Sequence, residues 1–191
     1  MAAGKDTKTA LLDFAEHAAR SRGFDGFSYA DLAEAVGIRK ASIHYHFPTK
    51  AILSAALTDR YRASFEKLCE QVADENDTGG GRMLGLIVLY RKALGGGKTL
   101  CLCVALSSSR DSLSEEVMEK ITAFRVMMIA WITQAFALGK HDGTITGVDY
   151  AEHEARATLA LLEGAHLAAR AEEDVGIFDQ ATAVLRARCS P

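Results

Sequence analysis

Between Arg39 and Lys50 the chain carries three cations (Arg39, Lys40, Lys50), two histidines and a tyrosine, with no carboxylate among them. On a chain of net charge −3, such a patch is a local anion-binding surface of the kind that meets phosphates. The asymmetry extends further. Residues 1–62 hold nine Lys/Arg and seven Asp/Glu, net +2, whereas residues 63–191 hold thirteen and eighteen, net −5. Other chemistry-bearing groups lack the spacing that their chemistry needs. Cys101 and Cys103 are two apart, and on a helix such positions point to opposite sides, which disfavours a disulfide and joint chelation. Gly97-Lys98-Thr99 has the last residues of a phosphate-binding loop, but the first glycine would fall at Lys92 and no strand precedes it. His44 and His46 are also two apart. His141, His153 and His166 have no partners at metal-ligand spacing, so no metal site is expected. The Ser107-Ser108-Ser109 run has no nucleophile-elbow pattern. An enzyme is therefore not expected, nor a cofactor.

Composition narrows the class. The chain has 191 residues, 49% hydrophobic, which is enough to bury a sizeable core. Two prolines, 7% aromatics and abundant alanine favour helices over sheet. The apolar runs fall well short of the ~18 residues of a membrane span, and residues 1–8 lack the apolar core of a signal peptide. The expectation is a cytoplasmic protein that makes no membrane contact. Its cysteines (Cys69, Cys101, Cys103, Cys189) are then reduced thiols.

Periodicity supplies the elements that must hold the cationic patch. Residues 5–22 read as a helix, with Leu11, Phe14, Ala15 and Ala18 at helical spacing and Gly23 as a stop. Ser28 caps a second helix, with Asp31 three residues on, and Gly37 ends it where a left-handed backbone costs least. A short third helix runs from Lys40 to Phe47 before Pro48. Lys50 to about Ala73 is one long helix. Residues 75–81 read as a break, 82–94 as a helix, and 100–107 as a short buried one. From Ser114 onward, Val117, Ile121, Phe124, Met128, Trp131, Ala135 and Leu138 recur, and Arg125 is the only formal charge between Ile121 and Gly139. A helix apolar almost all round is expected to run through the centre of a bundle. Residues 139–149 form a loop, and two more helices cover about 149–170 and 175–188. No convincing strand appears.

A tight glycine turn between two short helices is the helix-turn-helix signature, which sets its second helix in the major groove of DNA. The third helix fits. Ile43 and Phe47, four apart, face inward, while Lys40, Ser42, His44, Tyr45 and His46 supply donors, acceptors and ring faces. Ala41 is small enough for close approach of the backbone. Ser28, Tyr29 and Lys50 lie where helix ends meet phosphates, and Arg39 adds a cation at the turn. Residues 8–57 resemble the DNA-binding domain of the tetracycline-repressor (TetR) family. The matching stretches are Phe27-Ser-Tyr-Ala-Asp-Leu-Ala-Glu-Ala-Val-Gly-Ile38, Lys40-Ala-Ser-Ile-His-Tyr-His-Phe-Pro-Thr-Lys50 and Ile52-Leu53. The resemblance implies phosphate contacts at Ser28 and Lys50 and a groove-facing set of Lys40, Ala41, Ser42, His44, Tyr45 and His46. Two positions depart from the family pattern: Ala41 replaces the usual glycine or proline, and His44 the usual tyrosine.

The implied architecture is all-α, with about nine helices. Residues 1–50 form the DNA-binding domain, and residues 51–191 form a helical regulatory and dimerisation domain. The resemblance further implies a homodimer on palindromic double-stranded DNA, most often as a repressor, released by a small-molecule inducer. Leu159, Leu162, His166, Ile177, Ala181 and Leu185 offer an apolar seam for dimerisation, or for packing within the subunit. Tyr90, Cys101, Val104, Phe124, Met127, Met128, Trp131 and His166 are candidates for the inducer pocket, and each has ordinary core packing as its competing reading. Two rival functions remain at this point. One is a thiol-sensing regulator using Cys101 or Cys103, with buried apolar cysteine as the alternative. The other is a helical enzyme or interaction module in which the first three helices serve only as scaffold.

Overall fold

Nine α-helices and one 3-10 turn make up the regular structure of the described residues, 6–191, in this computed structural model. There is no named strand among them, only an isolated bridge between Ile145 and Cys189. The all-α expectation holds. Two compact units form, one from the residues up to Arg62 with Leu102–Thr122, the other from Ala63–Cys101 with Ala123–Pro191.

The first unit begins with α1 (Thr7–Arg22); Lys5, where the pattern started this helix, lies outside the described residues. Gly23 ends α1 at φ 81°, and the turn through Phe24 and Phe27 leads to Ser28, the N-cap of α2 (Tyr29–Val36). The cap is reciprocal. Ser28 Oγ accepts from the Asp31 amide, and Asp31 Oδ2 accepts from the Ser28 amide at 2.6 Å. Gly37, at φ 72°, closes α2 in the left-handed region. α3 (Lys40–His46) follows. α2 packs on α1 and α3 on α2, around the buried Leu11, Leu32, Ile43 and Phe47. Side chains of this kind each contribute about 1.5–3 kcal/mol on burial. The first residues of α4 (Lys50–Glu75) belong to the same unit. So does α6 (Leu102–Ser107), whose residues Leu102–Leu106 are buried and which packs on α1.

The second unit contains α5 (Gly79–Ala93), most of α7 (Glu115–Asp142), α8 (Ala151–Glu172) and α9 (Val175–Arg186). Two differences from the sequence pattern have physical causes. α5 starts at Gly79, inside the segment that reads as a break. Thr78 caps it, and the Gly79 and Gly80 amides donate to Asp142 Oδ2 and Thr144 Oγ1, both at 2.8 Å. Glycine is required there, because a Cβ on Gly79 would lie 2.1 Å from the Gly139 nitrogen. α7 is also not buried all round. Phe124, Met128, Ile132 and Phe136 are buried, but Val126 is 62% exposed, and Ala130 and Gln134 also face solvent. By length and composition alone α7 could cross a membrane, with a mean hydropathy of 1.5 over 18 residues. Its buried stripe packs instead into the helical core of this unit.

Candidate nucleic-acid interface

α3 divides sharply between its two sides. Ile43 is fully buried and Phe47 is 1% exposed, whereas Arg39, Lys40, Ala41, Ser42, His44 and Tyr45 face solvent. Tyr45 is 84% exposed, an unusual state for so large a ring, and His46 packs edge-on against it at 5.2 Å. His46 itself is half-buried. His44 donates from Nδ1 to the Pro48 carbonyl at 3.1 Å, which turns Nε2 away from that bond. A surface cleft of about 310 Å³ runs between the start of α2, α3 and the start of α4, lined by Ser28, Lys40, His44, Thr49 and Lys50 among others. The geometry is that of a short helix offering one cationic, hydrogen-bonding face of a width that the major groove accepts.

Three residues expected at the phosphates are already engaged within the domain. The Tyr29 ring is 8% exposed, and its hydroxyl donates to the Phe47 carbonyl at 2.8 Å. Burial pushes the Tyr29 phenol up to about 12. In the structure it braces the start of α2 against the end of α3. Ser28 is exposed, but its hydroxyl donates to Asp31 Oδ2 at 2.8 Å. The hydrogen bonds from Ser28 hold the Asp31 carboxyl below its ordinary range, so an anion already sits at this helix end. Lys50 points its ammonium inward, toward the carbonyls of Phe24 and Phe27.

The C-terminal candidates separate in the same way. His166 is fully buried. Its Nδ1 accepts from the Cys101 amide at 3.1 Å, and its Nε2 donates to the Tyr90 carbonyl at 2.9 Å, which defines the neutral tautomer. Tyr90 and Phe178 stack edge-on to His166, and Phe65 joins Tyr90 to Phe124. Tyr90, Cys101, Phe124 and His166 thus share one aromatic core. Met128 is buried, Met127 and Trp131 are half-buried on α7, and Val104 belongs to the other unit. Cys101 and Cys103 are each 1% exposed.

Of the residues offered for dimerisation or for packing within the subunit, Leu159, Leu162, His166 and Leu185 are buried inside the subunit, where α8 packs on α9. Ile177 and Ala181 are half-buried. The exposed apolar positions lie on the opposite side and include Leu167 at 49% and Val184 at 66%. Sequence reasoning missed this face because alanine, glycine and leucine there carry little amphipathic contrast. It also missed a 440 Å³ cleft lined by Val126, Ile129, Ala130, Thr133, Gln134, Glu152 and Arg156. The spacing of Val126, Ala130, Thr133 and Gln134 along α7 was the available signal.

Residues 11–57 match the family described as bacterial regulatory proteins, tetR family. Over those residues the chain belongs to the TetR family. It is 25% identical over 170 residues to the HTH-type transcriptional repressor NemR of Escherichia coli (strain K12), which spans 86% of this chain and 84% of that protein. The crystal structure of a TetR-family transcriptional regulator from Agrobacterium tumefaciens superposes with a TM-score of 0.91. It is 27% identical and covers 97% of this chain and 98% of that one. The reduced form of E. coli NemR shares the fold, with a TM-score of 0.82 at 24% identity over 97% of this chain and 98% of that one. These relatives are DNA-binding regulators rather than enzymes, and the exposed side of α3 falls within the family match.

Proposed function

We propose that this TetR-family regulator is a repressor that binds a palindromic operator in the cytoplasm as a homodimer and is released by a small-molecule inducer. Residues 1–50 are the reading head and residues 51–191 the regulatory and dimerisation part, of which residues 51–62 and Leu102–Thr122 lie in the same compact unit as the head. The observation that carries DNA reading is the two-sided α3: Ile43 and Phe47 are held in the core, and Tyr45 stands 84% exposed beside Lys40, Ser42 and His44. Lys40 and Arg39 meet phosphates, and Ser42, His44, Tyr45 and His46 meet base edges, with Ala41 against a thymine methyl or sugar. Repression is also the role of the NemR relative.

The exposed side of α8 and α9 supports the dimer. Ala157, Ala160, Leu161, Gly164 and Leu167 recur at helical spacing on α8, with Val184 beside them on α9. Small residues let two helices approach closely, and a two-fold dimer sets half-sites roughly 34 Å apart. The core around Tyr90, Phe124 and His166 supports the inducer reading. His166 holds the Cys101 amide, and the next residue opens α6, which packs on α1 of the reading unit. A ligand that displaces His166 frees the entry of α6 and favours a head arrangement that DNA does not. A second reading uses the same link: oxidation of Cys101 would disrupt the segment that His166 holds. Diamide-induced DNA release, abolished in Cys101→Ser, identifies that route.

The test is selection of genomic fragments by the full-length protein, followed by gel shift with excess nonspecific competitor at two salt concentrations. A competitor-resistant shift with a palindromic footprint is the expected result. An empty selection overturns the reading.

A further inference from the structure

His44 stands on the exposed side of α3, and its ring is fixed from two directions. Nδ1 lies 3.1 Å from the Pro48 carbonyl, between the end of α3 and the start of α4. The ring also leans on Tyr29 at the start of α2, with centroids 5.0 Å apart and planes tilted by 57°. Tyr29 is itself anchored, because its hydroxyl donates to the Phe47 carbonyl at 2.8 Å. A carbonyl oxygen only accepts, so the proton of the neutral imidazole sits on Nδ1 and Nε2 keeps a bare lone pair. No hydrogen bond within the described residues uses that lone pair. His44 lines the open cleft beside Ser28, Lys40, Thr49 and Lys50.

The rest of the exposed side of α3 has no equivalent group. Arg39 and Lys40 can only donate, Ala41 does neither, and the hydroxyls of Ser42 and Tyr45 do both. Nε2 of His44 is thus the acceptor-only side-chain atom of this face. A phosphate oxygen cannot pair with it, since both are acceptors. The tyrosine usual at this position in the family carries a hydroxyl that can donate to a phosphate, and the neutral histidine cannot. Within the major groove the donors are the exocyclic amino groups, N6 of adenine and N4 of cytosine. We propose that His44 is a specificity-determining residue that accepts a hydrogen bond from one such amino group in each half-site, with the Pro48 carbonyl and the Tyr29 ring holding it in the accepting tautomer and orientation. The inference rests on the DNA-binding reading above and names the chemistry that this residue reads.

The experiment uses the full-length protein at about pH 8, where an ordinary imidazole is neutral. Sequences selected from a randomised duplex pool are compared for the wild type and His44→Phe, which keeps a ring against Tyr29 but has no acceptor. The base pair whose preference relaxes in the variant is the one that His44 meets. The amino-bearing base of that pair is then replaced by its analogue without the amino group, purine for adenine or 2-pyrimidinone for cytosine. Wild-type affinity should fall by about tenfold, and that of His44→Phe should hardly change. An equal fall in both proteins, no fall in either, or a variant that relaxes no base pair overturns the proposal. Because His44→Phe could fail to fold, the ring nitrogens of wild-type His44 are also followed by nitrogen NMR. Nδ1 is expected to carry the proton before and after duplex is added, and a proton on Nε2 in either state overturns the proposal. Wild-type protein that enriches no sequence overturns the DNA-binding reading itself, a result distinct from all of these.

Discussion

Tyr29, Ser28 and Lys50 carry polar atoms of the kind that DNA-binding helices present to phosphates, yet each spends them inside the reading unit. For Tyr29 the consequence is measurable. Tyr29→Phe leaves the buried Phe47 carbonyl without its donor, and urea unfolding should report a loss of about 1–3 kcal/mol. The pH dependence has a definite sign. Burial raises the Tyr29 phenol from 10.0 to about 12. A folded-state pKa above the unfolded one gives stability that is fully present below the unfolded value and is lost as pH rises through the folded one. Wild-type stability should therefore decline between pH 10 and pH 12, and this part of the decline should vanish in Tyr29→Phe. Cys69 shifts in the same sense, its thiol pushed from 9.0 to about 12, first by desolvation and then by Glu66 and Glu70. On the inducer reading, thiol counting with a disulfide reagent at pH 8 should accordingly find Cys69, Cys101 and Cys103 silent in the folded protein, since all three are buried, whereas the thiol-sensing reading requires Cys101 to react. Rapid reaction of more than one thiol would show that these segments open readily. At this scale the sequence identifies groups capable of chemistry. Whether a hydroxyl or ammonium faces outward depends on a carbonyl brought near it by another helix.

The helices differ in how far local pattern decides them. α3 is legible because three local signals agree: Gly37 stops α2, Ile43 and Phe47 share a face, and Pro48 ends the run. α5 is not, because its first turn is glycine, and glycine alone reads as a break. The turn is helical because Asp142 and Thr144, more than sixty residues away, satisfy its amides. The same turn fits only without side chains. Gly79→Ala would place a Cβ 2.1 Å from the Gly139 nitrogen, where backbone rather than a flexible side chain must move. The expected loss is about 1–3 kcal/mol or more, read as a fall in the thermal midpoint of the full chain. An unchanged midpoint would mean that α5 begins later than Gly79. α7 fails in the opposite direction. Its composition suggests burial on every side, but a helix in the outer layer of a unit keeps one face in solvent however apolar its sequence.

For the whole molecule, the exposed face of α8 and α9 makes the strongest demand. Val184→Glu puts a charge on a residue that is 66% exposed in the single chain and that the proposed dimer would cover. On that proposal sedimentation should show a dimer for the wild type and a monomer for the variant. Operator affinity should fall by at least about tenfold, because two linked heads gain effective concentration that one head lacks. The melting temperature of the chain should hardly change, since the substitution leaves the subunit core intact. A dimer that survives Val184→Glu would move the interface off this face. The residue types alone were enough for an all-helical chain, a helix-turn-helix at residues 28–47 and a third helix with its polar and cationic residues on the exposed side, because capping, glycine stops and three-to-four spacing act within one or two turns. Tertiary packing alone decided that Tyr29 and Lys50 turn their polar atoms to backbone carbonyls, that Leu159 and Leu162 belong to the subunit core, and that His166 holds the Cys101 amide. Those outcomes depend on which distant carbonyls and faces meet, and spacing along the chain carries no record of that.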